Sequence, residues 1–448
     1  IGPTACLPGF LRPETAQGIF VNFKRLLEFN NNRMPFAATQ IGFSFRNEIS
    51  PRSGLLRCRE FLMAEIEHFI HPAKKFHPKF KNVANIALKL FSASDQLNNL
   101  TPCITTLQTA VDKQIIANNV LAYYIGRVYL FLQKIGIDLE RVRFRQHLPQ
   151  EMAHYACDCW DCEIHAYHGW VECVGFADRA CYDLSQHSKE SGSKLVAYEQ
   201  LLKPDVIQTH EIILDKAAIG KQFGSDSKQI FSHLESLSNE QAIELETNLK
   251  NNNEFHITVD GKIFTIINQM VKKVTFSKKE VFVKEYFPHV IEPSFGIGRI
   301  LYSLLAHSCM VREQDEQRIW FKFDPIVAPT TCVVLPLSNK EEFQPYIQSI
   351  VEKLARHNIS YKVDDLNASI GKRYARGDEL GTPFAITVDF DTLTSDPATV
   401  TLRERNTTEQ IRLQVQDIAQ VIKDLIDQNH KWMEIVEKYK LFKGQVSS

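Results

Sequence analysis

Two segments near the N-terminal end restrict the fold more than anything else in the chain. Read with a period of two, residues 41–48 place Ile41, Phe43 and Phe45 on one face and Gly42, Ser44, Arg46 and Glu48 on the other. That is the alternation of a half-buried strand. Residues 59–69 alternate too, with Arg59, Phe61, Met63, Glu65, Glu67 and Phe69 on one face. Between them lies the turn-rich Ser50-Pro51-Arg52-Ser53-Gly54. The two segments predict a hairpin with a long loop, whose polar face gathers arginines, an aromatic plate and several carboxylates. Such a face suits a nucleotide triphosphate and an ammonium group. The plainer reading is a surface ribbon with solvated charges. Residues 41–45 and 61–66 look buried, and acids on a buried strand face need partners.

These residues carry a resemblance. Phe45-Arg46-Asn47-Glu48 followed by Arg59-Glu60-Phe61 is similar to motif 2 of class II aminoacyl-tRNA synthetases. Glu292-Pro293-Ser294-Phe295-Gly296-Ile297-Gly298-Arg299 resembles motif 3. Three further segments resemble the glycine-specific enzymes of the eukaryotic and archaeal type. They are Leu11-Arg12-Pro13-Glu14-Thr15-Ala16-Gln17-Gly18, Met152-Ala153-His154-Tyr155-Ala156-Cys157-Asp158-Cys159-Trp160-Asp161 and Gly371-Lys372-Arg373-Tyr374-Ala375-Arg376. The resemblance spans nearly the whole chain and is weakest across about 186–280. It implies an α+β fold: a class II antiparallel-sheet catalytic domain, an inserted subdomain and a C-terminal α/β anticodon-binding domain.

At 448 residues the chain is long enough for two or three domains, and an apolar fraction of 44% supports a sizeable core. Net charge is −1, so RNA contact must come from local patches. No apolar run reaches the length of a membrane span. The ten scattered cysteines read as reduced thiols in a cytosol-like compartment. The resemblance implies cytoplasmic placement, with a mitochondrial one left open. Ile1-Gly2-Pro3-Thr4 is neither a signal nor a transit peptide. Motif 1, which carries the family's dimer-forming proline, should precede motif 2. The chain therefore reads as a fragment, or as one whose N-terminal part was removed. The family implies a homodimer.

Residues 1–185 and 281–324 read as one catalytic domain interrupted by an insertion at 186–280. Residues 13–29 look helical, with Phe20, Phe23 and Leu27 at helical spacing and Glu14 at the mouth, where negative charge is favoured. Residues 112–135 give a second helical pattern. Residues 169–176 read as a strand with Trp170, Glu172, Val174 and Phe176 on one face. The insertion opens with a polar linker, 186–193. It also holds a hairpin signal, 255–259 and 262–267 around Asp260-Gly261. Residues 325–448 switch to alternating strands and helices, the grammar of a compact α/β module.

The resemblance implies a two-step reaction. Glycine and ATP form an adenylate, and the acyl group then moves to the 3′ end of tRNA(Gly). Such chemistry needs cations at the α-phosphate. The motif matches give that role to Arg46, whose planar fork suits phosphate and carboxylate together, while Arg299 would cover one face of the adenine and reach the γ-phosphate. Phe61 would stack on the other side and Glu48 would read the adenine edge. Asn47, Arg57, Cys58 and Cys173 complete the implied nucleotide set. Arg57 could equally be a solvated loop charge. Glu172 would hold Mg²⁺ between phosphates, or else pair with an arginine such as Arg179. Glu14, Glu65 and Glu292 resemble the family's ammonium ligands, and Ser294 would wall off the glycine Cα. Three converging carboxylates repel one another unless a cation arrives. Cys157, Cys159 and Cys162, with His165 and Cys173 nearby, invite a zinc reading, but the spacing lacks paired C-x-x-C units. Lys372, Arg373 and Arg376 around Tyr374 read as a patch for tRNA, or as a solvated helix face. Two rivals stand beside the synthetase reading. One is an inactive synthetase-like accessory protein. The other is a ligase delivering its adenylate to another acceptor.

Overall fold

The computed structural model describes residues 5–6, 8–51, 56–259, 261–312, 315–338 and 340–442. Arg52, Ser53 and Gly54 of the hairpin loop, Ile1-Gly2-Pro3-Thr4 and Asp260 lie outside them. The chain forms two compact units. One joins Ile1–Leu195 to Pro288–Ser448, and the other is Val196–Phe287.

In the first unit the chain lays down β1 (Phe36–Phe45), β2 (Glu60–Ile70), β3 (Ala87–Phe91), β4 (Cys103–Thr106), β5 (Val142–Gln146), β6 (Asp158–Ala166) and β7 (Gly169–Ala180). The second unit contributes β8 (Ala197–Leu214), β9 (Glu254–Val259), β10 (Lys262–Ile267) and β11 (Val271–Tyr286). The chain then returns with β12 (His289–Gly296). The eight-stranded sheet has the order β1-β2-β12-β7-β6-β5-β3-β4. All its pairs are antiparallel except β3 with β5. Insertion of β12 between β2 and β7 brings the two chain segments of the first unit together in one sheet.

The edge strand β1 departs from its expected orientation. Ile41 is 65% and Phe43 50% exposed, whereas Ser44 is 0% exposed. The Gly42 and Ser44 face is the covered one. The Arg12 guanidinium crosses so close to Gly42 that any Cβ there would collide with it. Beyond it pack the helices Ala16–Val21 and Phe23–Phe29. The strand also ends at Phe45, so Arg46, Asn47 and Glu48 lie in the connection rather than on the ladder. The helix expected over 13–29 breaks at Asn22, whose side-chain amide donates to the Gly18 carbonyl. Phe20, Phe23 and Leu27 are buried, as their spacing implies, and Phe23 packs on Phe36 and Phe69.

The pattern expected over 112–135 becomes the helix Asn119–Lys134 after a shorter one, Leu107–Asp112. Asn118 Oδ1 accepts from the Val120 and Leu121 amides, which starts the long helix. Its Val120, Leu121, Ile125 and Leu132 enter the core beneath the sheet. In β7 the expected face also fails. A bulge interrupts pairing with β6 between Cys162 and Glu163. One extra residue on a bulged strand shifts the face that follows it. Val174 and Phe176 therefore enter the core, and Glu172 shares the open side with Gly175 and Ala177.

The polar run 186–193 is not a linker: it is mostly the end of the helix Tyr182–Ser191, closed by Gly192 at φ +67°. The compact insertion begins at Val196. Within it β8 and β11 form a long ribbon, and β9 and β10 form a hairpin with Gly261 at φ +76°. Its core holds Ile219, Ile230, Leu234, Leu245 and Ile266.

After the helix Ile297–Ser308 come β13 (Cys309–Arg312) and β14 (Asp315–Phe321), then β15 (Cys332–Pro336), β16 (Tyr361–Val363), β17 (Phe384–Val388), β18 (Thr399–Glu404) and β19 (Gln410–Gln414). The last five form a sheet in the order β16-β15-β17-β18-β19, parallel around β15 and antiparallel beyond β17. Buried Arg405 ties this module to the chain entering it, donating to the carbonyls of Gly381 and Phe323, each at 2.6 Å. Gly381 sits at φ +75°, and a Cβ there would strike the Phe323 ring. Among the described residues no helix is long and apolar enough to cross a membrane.

Candidate active site

One row of residues crosses the eight-stranded sheet. Glu65 on β2 faces Ser294 on β12, Ser294 faces Gly175 on β7, Gly175 faces Asp161 on β6, and Asp161 faces Arg145 on β5. Above this row lies a cavity of about 450 Å³. Gly175 leaves its middle free of side chain, so the polar groups collect at the two ends.

At one end stand Glu14, Glu65 and Glu292, each with a carboxylate oxygen within 4.8 Å of the others. Glu65 is 1% exposed. Its Oε2 accepts from the amides of Thr15 (2.6 Å) and Ala16 (2.9 Å) and from the Thr15 hydroxyl (2.5 Å). It thereby supplies the cap that the helix Ala16–Val21 lacks from its own N-cap side chain. Ser294 Oγ donates to Glu65 Oε1 at 3.1 Å. The same bonds that fix Glu65 thus fix Ser294 beside it, at the cavity wall.

Arg179 holds this end together. The chain's pattern gave it only as a conceivable partner for Glu172, and the structure places it elsewhere. Its guanidinium donates to Asp183 at 2.8 and 2.9 Å, to Glu292 at 2.7 Å and to Glu14 at 3.4 Å. It lies over the Tyr155 ring, 4.0 Å from the centroid. Burial first, then neighbouring Glu65 and Glu14, push the Glu292 carboxyl up to about 7 despite Arg179. Gln17 completes the frame, donating to Glu14 at 2.6 Å while His187 bonds its oxygen. A site with this surplus of carboxylates is built for a cation.

The other end carries the arginines. The Arg46 guanidinium sits 5.2 Å from the Phe61 ring centroid. Arg299 is the third residue of the helix Ile297–Ser308. It donates to the carbonyls of Glu172 (2.8 Å) and Leu56 (2.9 Å), and lies 3.6 Å from the Glu172 carboxylate. Glu172 is therefore paired with Arg299, not with Arg179. The surrounding walls, then Asp161, raise its carboxyl. Glu48, Cys58 and Cys173 also line the cavity. Asn47 and Arg57 are exposed and outside its lining. Cys159 lines the cavity as well, whereas Cys162 is packed in the core beside Cys173.

Sequence reasoning missed His147 and Asp161. His147 follows β5 directly and bonds Asp161 at 2.8 Å. That bond first, against burial, raises the imidazole above its ordinary value. The signal was present in the charge pattern of β5: Arg143 and Arg145 alternate toward Glu163 and Asp161 on the neighbouring strand.

In the C-terminal module the helix Ile370–Glu379 carries the basic patch. Lys372 is exposed. Arg376 is partly exposed and bonds Asp364 at 3.3 Å. Arg373 is a correction. It is 4% exposed and donates to the carbonyls of Pro336 and Asp364. A guanidinium already spent on two carbonyls fastens its own helix to β15 and cannot face RNA. Tyr374 is likewise engaged, with Thr387 at 2.6 Å and Arg403 over its ring.

Comparison with known proteins fits this geometry. Residues 9–308 match the tRNA synthetase class II core domain (G, H, P, S and T), and residues 331–425 match the anticodon binding domain. The chain is 45% identical over 432 residues to the glycine–tRNA ligase of Methanocaldococcus jannaschii, covering 95% of itself and 73% of that protein. The chain belongs to the glycine–tRNA ligase family of class II synthetases. It is 51% identical over 449 residues to the Drosophila melanogaster glycine–tRNA ligase. That match covers 100% of the chain and 58% of the fly protein. It is 47% identical over 436 residues to glycine–tRNA ligase 1, mitochondrial, of Saccharomyces cerevisiae, covering 97% of itself and 63% of that protein. The chain thus spans about three fifths of these two relatives. The class II core match takes in both ends of the cavity, from Glu14 to Arg299, and the anticodon-domain match takes in Lys372 and Arg376.

Proposed function

We propose that the chain catalyses ATP-dependent ligation of glycine to tRNA(Gly) through a glycyl-adenylate. The observation that carries this reading is the polarity of one cavity. A three-carboxylate receptor for an ammonium group stands at one end, and two arginines with an aromatic plate stand at the other. Glycine would lie with its ammonium on Glu14, Glu65 and Glu292 and its Cα against Ser294. Any larger amino acid would have to push a Cβ into packed wall, which is costly. Arg46 would hold the α-phosphate, Arg299 and Phe61 would sandwich the adenine, and Glu48 would take its edge. Glu172 offers the accessible carboxylate that Mg²⁺ shared with phosphates requires. Lys372 and Arg376 would hold tRNA from a C-terminal module starting near residue 325. The family reading adds a homodimer. A cytoplasmic location suits the ten reduced cysteines, and one yeast relative is named for the mitochondrion.

The inactive-accessory reading is disfavoured because Arg46, Arg299 and the complete carboxylate trio all line the cavity. ATP–pyrophosphate exchange with a panel of amino acids tests the proposal. Exchange with glycine alone is expected. Exchange driven best by another amino acid, or by none, would overturn it.

A further inference from the structure

Glu67 is the acid of this cluster for which the reaction has no use. It lies two residues beyond Glu65 on β2, so the pleat puts both side chains on the cavity side of the sheet. It is 0% exposed. Neither carboxyl oxygen has a hydrogen-bond partner among the described residues. The other acids differ. Glu65 meets donors at both oxygens, from Thr15, Ala16 and Ser294. Glu292, Glu14 and Asp183 each accept from Arg179.

Among the described residues one guanidinium, Arg179, is bonded within this group of five acids, Glu14, Glu65, Glu67, Glu292 and Asp183, and it bonds three of them. Glu65, Glu67, Glu292 and Asp183 are between 0% and 6% exposed. Like charges this close, with little water between them, repel strongly. An empty pocket with every acid ionised would carry several such penalties at once. A proton must sit somewhere, and the carboxyl without a single donor is the place where it costs least.

The groups around Glu67 agree. Burial first, then Glu292, raise its carboxyl well above the usual range, with Glu65 and Glu14 adding to this and Arg179 opposing it. Across the sheet, on the helix Asn119–Lys134, Tyr124 is raised by its own burial, by Tyr123 and by Glu67.

We propose that glycine enters this pocket in exchange for a proton: Glu67 holds the proton in the empty site, and the arriving ammonium takes over the charge compensation. The Glu67 O–H bond breaks, its proton passes to solvent, and glycine keeps its own three N–H bonds. This rests on the reading of the cluster as the ammonium site.

Titration calorimetry of glycine into the full chain near pH 7, in buffers of differing ionisation enthalpy, counts the protons exchanged. Between about half a proton and one proton released per glycine is expected, with affinity rising up to about tenfold per pH unit through neutrality. Glu67→Gln has the same shape but no acidic hydrogen, and should release less than half as many protons as the parent. Heats independent of buffer in the parent would overturn the inference, as would a variant releasing at least half the parent's number. If the variant does not fold, the parent's buffer series decides alone. If glycine binds without proton exchange, only this inference falls. If glycine does not bind at all, the glycine reading falls with it.

Discussion

Arg179→Met is the sharpest probe of the glycine end. Among the described residues Arg179 carries the one guanidinium bonded to Glu14, Glu292 and Asp183, and the substitution keeps an apolar stem against Tyr155. Glu14 and Glu292 each lose one charge-assisted bond, taken at the low end as about 1.5 kcal/mol apiece. About 3 kcal/mol converts to roughly a hundredfold weaker hold on glycine, since about 1.4 kcal/mol is tenfold. Asp183, 6% exposed, loses two bonds as well. The fold itself is therefore weakened, as expected when one partner of a buried ion pair is removed. The assay is ATP–pyrophosphate exchange, with KM measured for glycine and ATP separately and the melting curve recorded alongside. The glycine KM should rise by about two orders of magnitude while the ATP KM changes little, because the nucleotide end is built from other residues. Arg179→Lys, which keeps a charge but not the fork, should fall between. A folded Met variant with a glycine KM within tenfold of the parent would refute the claim that Arg179 orients the carboxylates.

Arg46→Ala should lower glycine-dependent exchange by about 10²–10³ with the melting curve unchanged, since the residue lies in an exposed connection; near-normal exchange would sink its phosphate role. Ser294→Gly removes the hydroxyl that bonds Glu65 and should let alanine be activated; discrimination as strict as the parent's would show that the wall is elsewhere. Neutralising Lys372 and Arg376 should weaken tRNA binding and flatten its salt dependence by about one phosphate contact per residue, leaving exchange without tRNA intact. Arg373→Ala should instead lower the stability of the C-terminal module, read by melting and proteolysis, because it cuts two buried carbonyl bonds. A smaller effect on stability than on tRNA binding would reverse that assignment.

The catalytic strands were legible where side-chain pattern and burial coincide. On β2, Met63, Glu65, Glu67 and Phe69 are buried as the alternation implies. On β1 the same rule failed, because Ile41 and Phe43 form the open face of an edge strand and the covered face carries Gly42 and Ser44. Alternation reveals that two faces exist. Which one is covered depends on Arg12 and the helices that follow it, and no local pattern contains that information. The bulge beside Glu172 is a similar case. A period of two cannot announce the one residue at which it slips, and that slip sends Val174 and Phe176 to the core while Glu172 stays at the site.

The site divides in the same way. Glu14, Glu65, Glu292, Arg46 and Arg299 stood out from the sequence because they fall in contiguous motifs. What bonds them did not. Arg179 and Gln17 reach the acids from two separate elements, Asp183 holds Arg179 from a third, and Arg373 looked like its basic neighbours until its burial was seen. By itself the sequence determined which chemical groups this protein owns and the secondary structure that carries most of them. Only the tertiary structure decided which charges are free for a ligand and which are already spent on one another, because burial and pairing are properties of the space between elements.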